Sequence, residues 1–323
     1  MKPYALGIDI GGTKIAAGLV TATGALSHKQ VVATPAALGA DSILQTAITV
    51  GKDVLSAARR ERLDVVAAGA GSAGHVDRRR GTISYASELL PGWTGLDLAR
   101  ELQAALELPV SVENDVNAMA LAEAHFGAGR DFRHALYITV GTGIGGALIV
   151  DGRLWHGATW TAGELGHLVV DWNGTRRCNC GQPGHLEAYV AGPALAARYR
   201  ERSGMEQPLD LVAVAARARA GDTIAAETIV EGARILGLAL GGLLNVLDPQ
   251  ALIVGGGVAE LQDLWWPALE TALRANSMPG PARVAQRRAM LGVDATLIGA
   301  AWLALCEQTS AYTDEHTTSC ASD

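Results

Sequence analysis

"ALGIDIGGTKIAAGLV" (5–20) aligns without a gap with "ALYITVGTGIGGALIV" (135–150), six positions of sixteen being identical at an offset of 130 residues. Each stretch reads as a β-branched strand, a glycine-rich turn and a second apolar strand. The turns "DIGGTK" and "GTGIGG" offer backbone N–H groups with no side chain in the way, and each adds a threonine hydroxyl. Such turns suit phosphate oxygens. The alternative is two ordinary hairpins whose glycines only serve positive φ. A third cluster, "ALIVGGGVAE" (251–260), follows a buried-type strand and precedes a helical stretch. It lacks G-x-G-x-x-G spacing, and nothing in the chain satisfies G-x-x-x-x-G-K-[ST], so neither a dinucleotide fold nor a P-loop is indicated. Two halves, each opening strand–turn–strand, imply a duplicated α/β fold with nucleotide in the cleft between them.

At 323 residues the chain has material for about two domains. It is 49% hydrophobic and 18% charged, with a formal charge of −7, which speaks against nucleic acid or an acidic membrane as partner and favours a small molecule. No N-terminal signal pattern is visible, and no window approaches a membrane span. "ILGLALGGLLNVLDPQALIVGGGV" comes nearest, but Gly, Asn, Asp and Pro break it into a helix and a strand. Cys178 and Cys180 are too close for an easy disulfide, Cys306 lies in an apolar run and Cys320 in a polar tail, usage that suits a reducing cytoplasm.

Three segments carry possible chemistry. In "VSVENDVNAMALAEAHFGAG" a strand runs into a helix that ends near Gly127, which sets Asn114 and Asp115 at the helix start. Both residue types cap helices there, and the helix dipole also keeps an aspartate ionised. "GELGH" (163–167) spaces Glu164 and His167 three apart, one face of a helical turn. "RRCNCGQPGHLEA" (176–188) gathers Cys178, Cys180, His185 and Glu187 into ten positions.

"DIGGTK", "END" (113–115), "GTGIGG", "GELGH", the cysteine segment and "IVGGG" stand in the order that resembles the ROK family of bacterial sugar kinases, from about residue 4 to about 305. The resemblance implies the actin/hexokinase-like (ribonuclease H-like) fold and ATP-dependent phosphorylation of a hexose at its 6-hydroxyl, with glucose as the expected substrate. It makes Asp115 the general base, and Gly74, Asn114, Asp115, Glu164, His167 and Glu187 sugar ligands. An asparagine that the family often places before an "LPGW"-like segment is absent, so either Glu88 substitutes for it or this sugar contact is missing. Asp9 would orient Mg²⁺ through water. Gly11, Gly12 and Thr13 would meet phosphates, with Lys14 either neutralising charge or lying on the surface. Thr142 and Gly143 would form the second phosphate turn, and Gly255, Gly256 and Gly257 the adenosine side. The family holds zinc with one histidine and three cysteines. Here His185 stands at the third cysteine, so His167, Cys178, Cys180 and His185 become a closed, structural Cys2His2 set. The tryptophans at 155, 160, 172, 265, 266 and 302 are expected in core or interface.

The implied partition is a small domain over 1–116, completed by a C-terminal helix near 297–308, a large domain over 117–296, and a disordered tail over 309–323. The resemblance also suggests a homodimer or homotetramer. Rival substrates are N-acetylglucosamine, N-acetylmannosamine, mannose and fructose. Rival functions are a catalytically idle sugar sensor, an actin-like filament or chaperone ATPase, and a sugar-responsive repressor. The last is disfavoured because only eight residues precede Asp9.

Overall fold

The computed structural model describes residues 3–87 and 90–308, so Glu88 and the stretch 309–323 lie outside the described residues. Along the chain come β1 (Tyr4–Ile10), β2 (Lys14–Thr21), β3 (Leu26–Ala33), α1 (Ala40–Arg60), β4 (Val65–Ser72), β5 (His75–Asp77), β6 (Thr82–Tyr85), α2 (Leu98–Leu106), β7 (Val110–Asn114) and α3 (Asp115–Phe126). There follow β8 (Ala135–Val140), β9 (Ile144–Val150), β10 (Arg153–Leu154), α4 (Glu187–Val190), α5 (Gly192–Ser203), α6 (Leu211–Arg219) and α7 (Thr223–Leu247). The chain then forms β11 (Ala251–Gly255), α8 (Trp266–Asn276), β12 (Ala285–Arg288) and α9 (Ala295–Gln308).

The repeat seen in the sequence is a repeat of topology. Besides a separate two-stranded sheet of β5 and β6, the described residues form two five-stranded sheets, one with the order β3-β2-β1-β4-β7 and the other β10-β9-β8-β11-β12. In each, the three consecutive strands are antiparallel, and two further strands add in parallel beside the first. The hairpins differ in one detail. Ile10 faces Ile15 in the first, whereas Val140 faces Ile144 in the second, which closes one residue tighter.

Two compact units result, one comprising residues up to Ala122 with those from Asp294 on, the other Glu123–Val293. The first centres on Leu6, Ile8, Ile15, Leu19, Ala68 and Val112 of the sheet, packed against a buried α1 face that recurs every three to four residues (Ile43, Ala47, Val50, Val54, Ala58). Glycine lets α9 join this core. A Cβ on Gly7 would collide with Leu297 O, one on Gly69 with Ala300 O, and one on Gly299 with Ala118 O. The helix therefore lies backbone-to-backbone against β1, β4 and α3. Gly69→Ala, which sets a methyl against a carbonyl with no flexible atom to yield, is expected to cost ~3 kcal/mol in urea unfolding, the upper end for overpacking. A loss below ~1 kcal/mol would show that α9 can move aside.

The second unit's core gathers Leu136, Ile138, Tyr199, Ile229, Leu236, Leu240, Leu252 and Trp265 around α7. Contrary to the sequence expectation, α7 is long and apolar enough to pass for a membrane span. Its apolarity serves the core instead. Ten of its residues are buried, and Gly237 and Gly241 bring α8 so near that a Cβ would collide with Leu269 O or come within 2.6 Å of Leu273 O. Asp222 starts it by accepting from Ala225 N at 3.0 Å. Trp265 and Trp266 are core residues, but Trp172 is 93% exposed and is not.

Candidate active site

In the first unit the expected residues collect at the carboxyl ends of neighbouring parallel strands, the usual place for ligands in open α/β sheets. Asp9, near the end of β1, pairs with Gly71 of β4, which pairs with Glu113 of β7. Burial pushes the Asp9 carboxyl up to about 6, opposed by the charges of Lys14 and Lys29 and assisted by Asp294, which itself pairs with Lys29. Lys14 thus acts electrostatically on Asp9. The turn that follows is open: Gly11 and Gly12 are partly buried and Thr13 is exposed. Gly11 N bonds Lys14 O at 3.1 Å, and Thr34 holds the turn from the side through Gly11 O and Thr13 O.

At the end of β7, Asn114 is the cap of α3. Its Oδ1 accepts from Val116 N and Asn117 N at 2.9 and 3.0 Å. Its Nδ2 donates to Gly74 O at 3.0 Å and to Asp115 Oδ1 at 2.9 Å. One side chain therefore starts the helix, fixes the glycine loop and orients the Asp115 carboxylate. Gly74 has φ +99 and no room for a Cβ, which would sit 2.5 Å from Tyr85 O. Its carbonyl already serves Asn114.

In the second unit, Thr142 and Gly143 form the turn between β8 and β9, and Gly255 pairs with Thr139 beside it. Gly256 has φ +89, and a Cβ there would collide with Val140 O. Gly257 would meet nothing within 4 Å. The glycine clusters at 141–143 and 255–257 are therefore one place. Positive φ does not explain the phosphate-type turns, because Gly11, Gly141 and Gly143 all lie outside the left-handed region. A Cβ on Gly141 would project into open space, which is what a turn kept clear for a ligand requires.

Glu164 leads into a short 3-10 turn, Leu165–His167, seated on β9, where Gly163 would collide with Gly146 O and Gly166 with Ile144 O if either bore a Cβ. Glu164 Oε2 lies 3.6 Å from His167 Nε2, while His167 Nδ1 lies 3.7 Å from Cys178 Sγ. Cys180 Sγ is 3.2 Å from His185 Nδ1, and the ligand atoms of His167, Cys178, Cys180 and His185 all fall within 4.8 Å of one another. Four ligands at Zn–S of about 2.3 Å and Zn–N of about 2.0 Å would stand roughly 3.3–3.8 Å apart, so the cluster fits a tetrahedral zinc. The nitrogens of His167 divide the work, Nδ1 toward the cluster and Nε2 toward Glu164. Burial pushes the Cys178 thiol up to about 12 and, with the neighbouring His167 charge, lowers His185. Glu187 joins the groups: Oε1 is 3.5 Å from Cys178 Sγ, and Oε2 accepts from Ile144 N at 2.9 Å.

Sequence reading missed several supports. Tyr189, two residues beyond Glu187, donates to Asp171 Oδ2 at 2.6 Å and accepts from Arg176 N at 3.1 Å, tying the cysteine loop to α4. Hydrogen bonds from Thr175 and Tyr189 hold Asp171 well below the usual carboxylate range. Glu113, 1% exposed, accepts from Asn114 N at 2.9 Å and pairs with Arg78 at 3.2 Å beneath the helix start. Thr296 Oγ1 donates to Asp115 O at 3.2 Å. Glu113 stood in plain view within "END", but its partner Arg78 carries no local signal.

The ROK family model matches residues 5–307. The chain belongs to the ROK family. A glucokinase from Halalkalibacterium halodurans is 33% identical over 319 residues, 94% of this chain and 96% of that protein. Among solved structures, a ROK family glucokinase from Streptomyces griseus in complex with glucose and AMPPNP superposes with a TM-score of 0.82 at 35% identity, covering 94% of this chain and 99% of the other. A ROK hexokinase from Thermus thermophilus gives 0.82 at 36% identity, covering 95% and 99%. This ROK chain has the actin/hexokinase-like fold, and its duplicated sheet order is that fold's repeat.

Proposed function

We propose that the chain is an ATP-dependent hexose kinase of the cytoplasm, assembled as a homodimer or homotetramer, that phosphorylates glucose at its 6-hydroxyl. The observation that carries the reading is Asp115, whose Oδ1 is fixed by Asn114 Nδ2 and Val116 N, each at 2.9 Å, at the positive end of a twelve-residue helix. There the helix dipole favours the charged carboxylate, which would take the proton from the sugar hydroxyl as the γ-phosphoryl group is transferred. Phosphoryl transfer has a loose transition state, so positioning and charge neutralisation carry most of the catalysis. Gly11, Gly12, Thr13, Thr142 and Gly143 would cradle phosphates, and Gly255–Gly257 would line the adenosine side. Mg²⁺ bound with ATP would neutralise the β- and γ-phosphates, and Asp9 would orient it through water. Asn114, Asp115, Glu164, His167 and Glu187 offer mostly acceptors, which suits a neutral sugar whose hydroxyls donate. Zinc held by His167, Cys178, Cys180 and His185 would order Glu164 and Glu187 and leave no open coordination position.

A panel of hexoses with ATP tests the reading. Glucose is expected to lead in kcat/KM over mannose, fructose and the N-acetylhexosamines. A larger kcat/KM for an N-acetylhexosamine would overturn the glucose assignment, and no ADP release with any hexose would overturn the kinase.

Asp9 supplies a pH test. Its folded pKa, about 6, exceeds the ordinary 3.8, so its contribution to stability is full below about pH 4 and is lost as pH rises through 6. Asp9→Asn should therefore stabilise the chain by ~1–3 kcal/mol at pH 7.5, taking about 1.4 kcal/mol per pKa unit, and by much less at pH 4. The same substitution should lower kcat/KM for MgATP. Paired urea titrations showing equal effects at both pH values would contradict the burial of an ionised Asp9.

A further inference from the structure

One carboxylate touches both the metal-type cluster and the second glycine turn. Glu187 opens α4 and reaches Cys178 Sγ with Oε1 and Ile144 N with Oε2, at 3.5 and 2.9 Å. A Cβ on Gly143 would lie 2.6 Å from that Oε2. Five residues on, Gly192 N donates to Gly141 O at 2.8 Å, so α4 and the start of α5 grip the turn on both sides. The segment carrying His167 abuts the same strand, where Gly166 leaves no room above Ile144 O. His167 and Cys178 come from these two different segments and stand 3.7 Å apart. A metal joining them would clamp both segments against Ile144.

We infer that Glu187 is a positioning residue through which occupancy of the His167, Cys178, Cys180 and His185 cluster governs nucleotide affinity at the turn 141–143. Metal and nucleotide then tighten each other's binding. The inference rests on reading that turn as a phosphate site. Its physical basis is ordering. A ligand that fixes a segment lowers the entropic cost left for a second ligand that needs the same segment fixed. Linkage makes the effect reciprocal, with one factor read from either side.

The test needs no turnover. A non-hydrolysable ATP analogue with Mg²⁺ is titrated calorimetrically into zinc-loaded and zinc-stripped full-length chain without sugar, and zinc affinity is measured by chelator competition with and without the analogue. Both affinities should change by the same factor, about fivefold or more. Glu187→Ala should reduce the mutual effect to less than about twofold while still binding one zinc, and Glu187→Gln, which retains an acceptor for Ile144 N, should preserve most of it. Wild-type protein that binds both ligands independently overturns the inference alone, as does an undiminished effect in Glu187→Ala. A chain that binds zinc but no nucleotide overturns the kinase reading and the inference together. The wild-type measurement stands even if a variant fails to fold.

Discussion

Asp115→Asn is expected to lower kcat by ~10²–10⁴ while leaving glucose affinity within a fewfold of wild type, the cost of losing a general base. The substitution is close to isosteric. The Asn carbonyl oxygen can take the place of Oδ1 and go on accepting from Asn114 Nδ2 and Val116 N, so the start of α3 should survive. What disappears is the capacity to accept a proton. Asn114→Ala should behave differently, since it removes the α3 cap, the contact to Gly74 O and the orientation of Asp115 together. It should cost stability, ~1 kcal/mol for the cap, as well as rate. Normal glucose binding by calorimetry combined with near-wild-type turnover in Asp115→Asn would remove Asp115 as the base.

Cys178→Ser is expected to abolish zinc binding and raise the glucose KM by at least ~10-fold, the scale seen when the support around a metal site is lost. Purified wild-type protein should carry about one zinc per chain, as a closed four-ligand site predicts. Structural zinc can supply ~10–16 kcal/mol in small peptides, but the second unit has a core of its own in α7, α8 and the β8–β11 sheet, so Tm should fall only modestly. His185→Cys should retain the metal, because it converts a Cys2His2 set into Cys3His. Metal analysis of chelator-free protein finding no zinc would sink the assignment. Zinc loss with unchanged glucose KM would show that Glu164 and Glu187 do not depend on the cluster.

Local signals carried most of what the sequence revealed. The 130-residue offset survived because each hairpin is specified within sixteen residues by strand-forming runs and a turn. The same offset could not reveal the one-residue difference in register, which depends on how each turn closes. The cap role of Asn114 was legible from a strand running into an apolar helix, whereas its bonds to Gly74 O and Asp115 join separate pieces of chain. The cysteine segment was legible as spacing, but nothing local marks Tyr189, and its hold on Asp171 and Arg176 emerges only once the loop folds back. Positive φ fails as an account of the glycine turns because Gly11, Gly141 and Gly143 all lie outside the left-handed region. The apolar stretch 235–258 reads as a helix and a strand separated by Gly, Asn, Asp and Pro, and α7 followed by β11 is that division, but the sequence does not show what Gly237 and Gly241 are for. In the fold those glycines are what bring α8 close.

The position of α9 also sets an order of events during synthesis. Its backbone lies against Gly7, Gly69 and the Ala118 carbonyl, yet it is made after all of Glu123–Val293. A ribosome adding ~5–20 residues per second needs on the order of 10–40 s to travel from Ala122 to Gln308. Over that interval the second unit's segments emerge while the first unit's sheet has an uncovered apolar face. The nascent chain therefore carries that uncovered apolar face on the half that emerges first, and the helix bearing Asp115 acquires its last support only when α9 arrives.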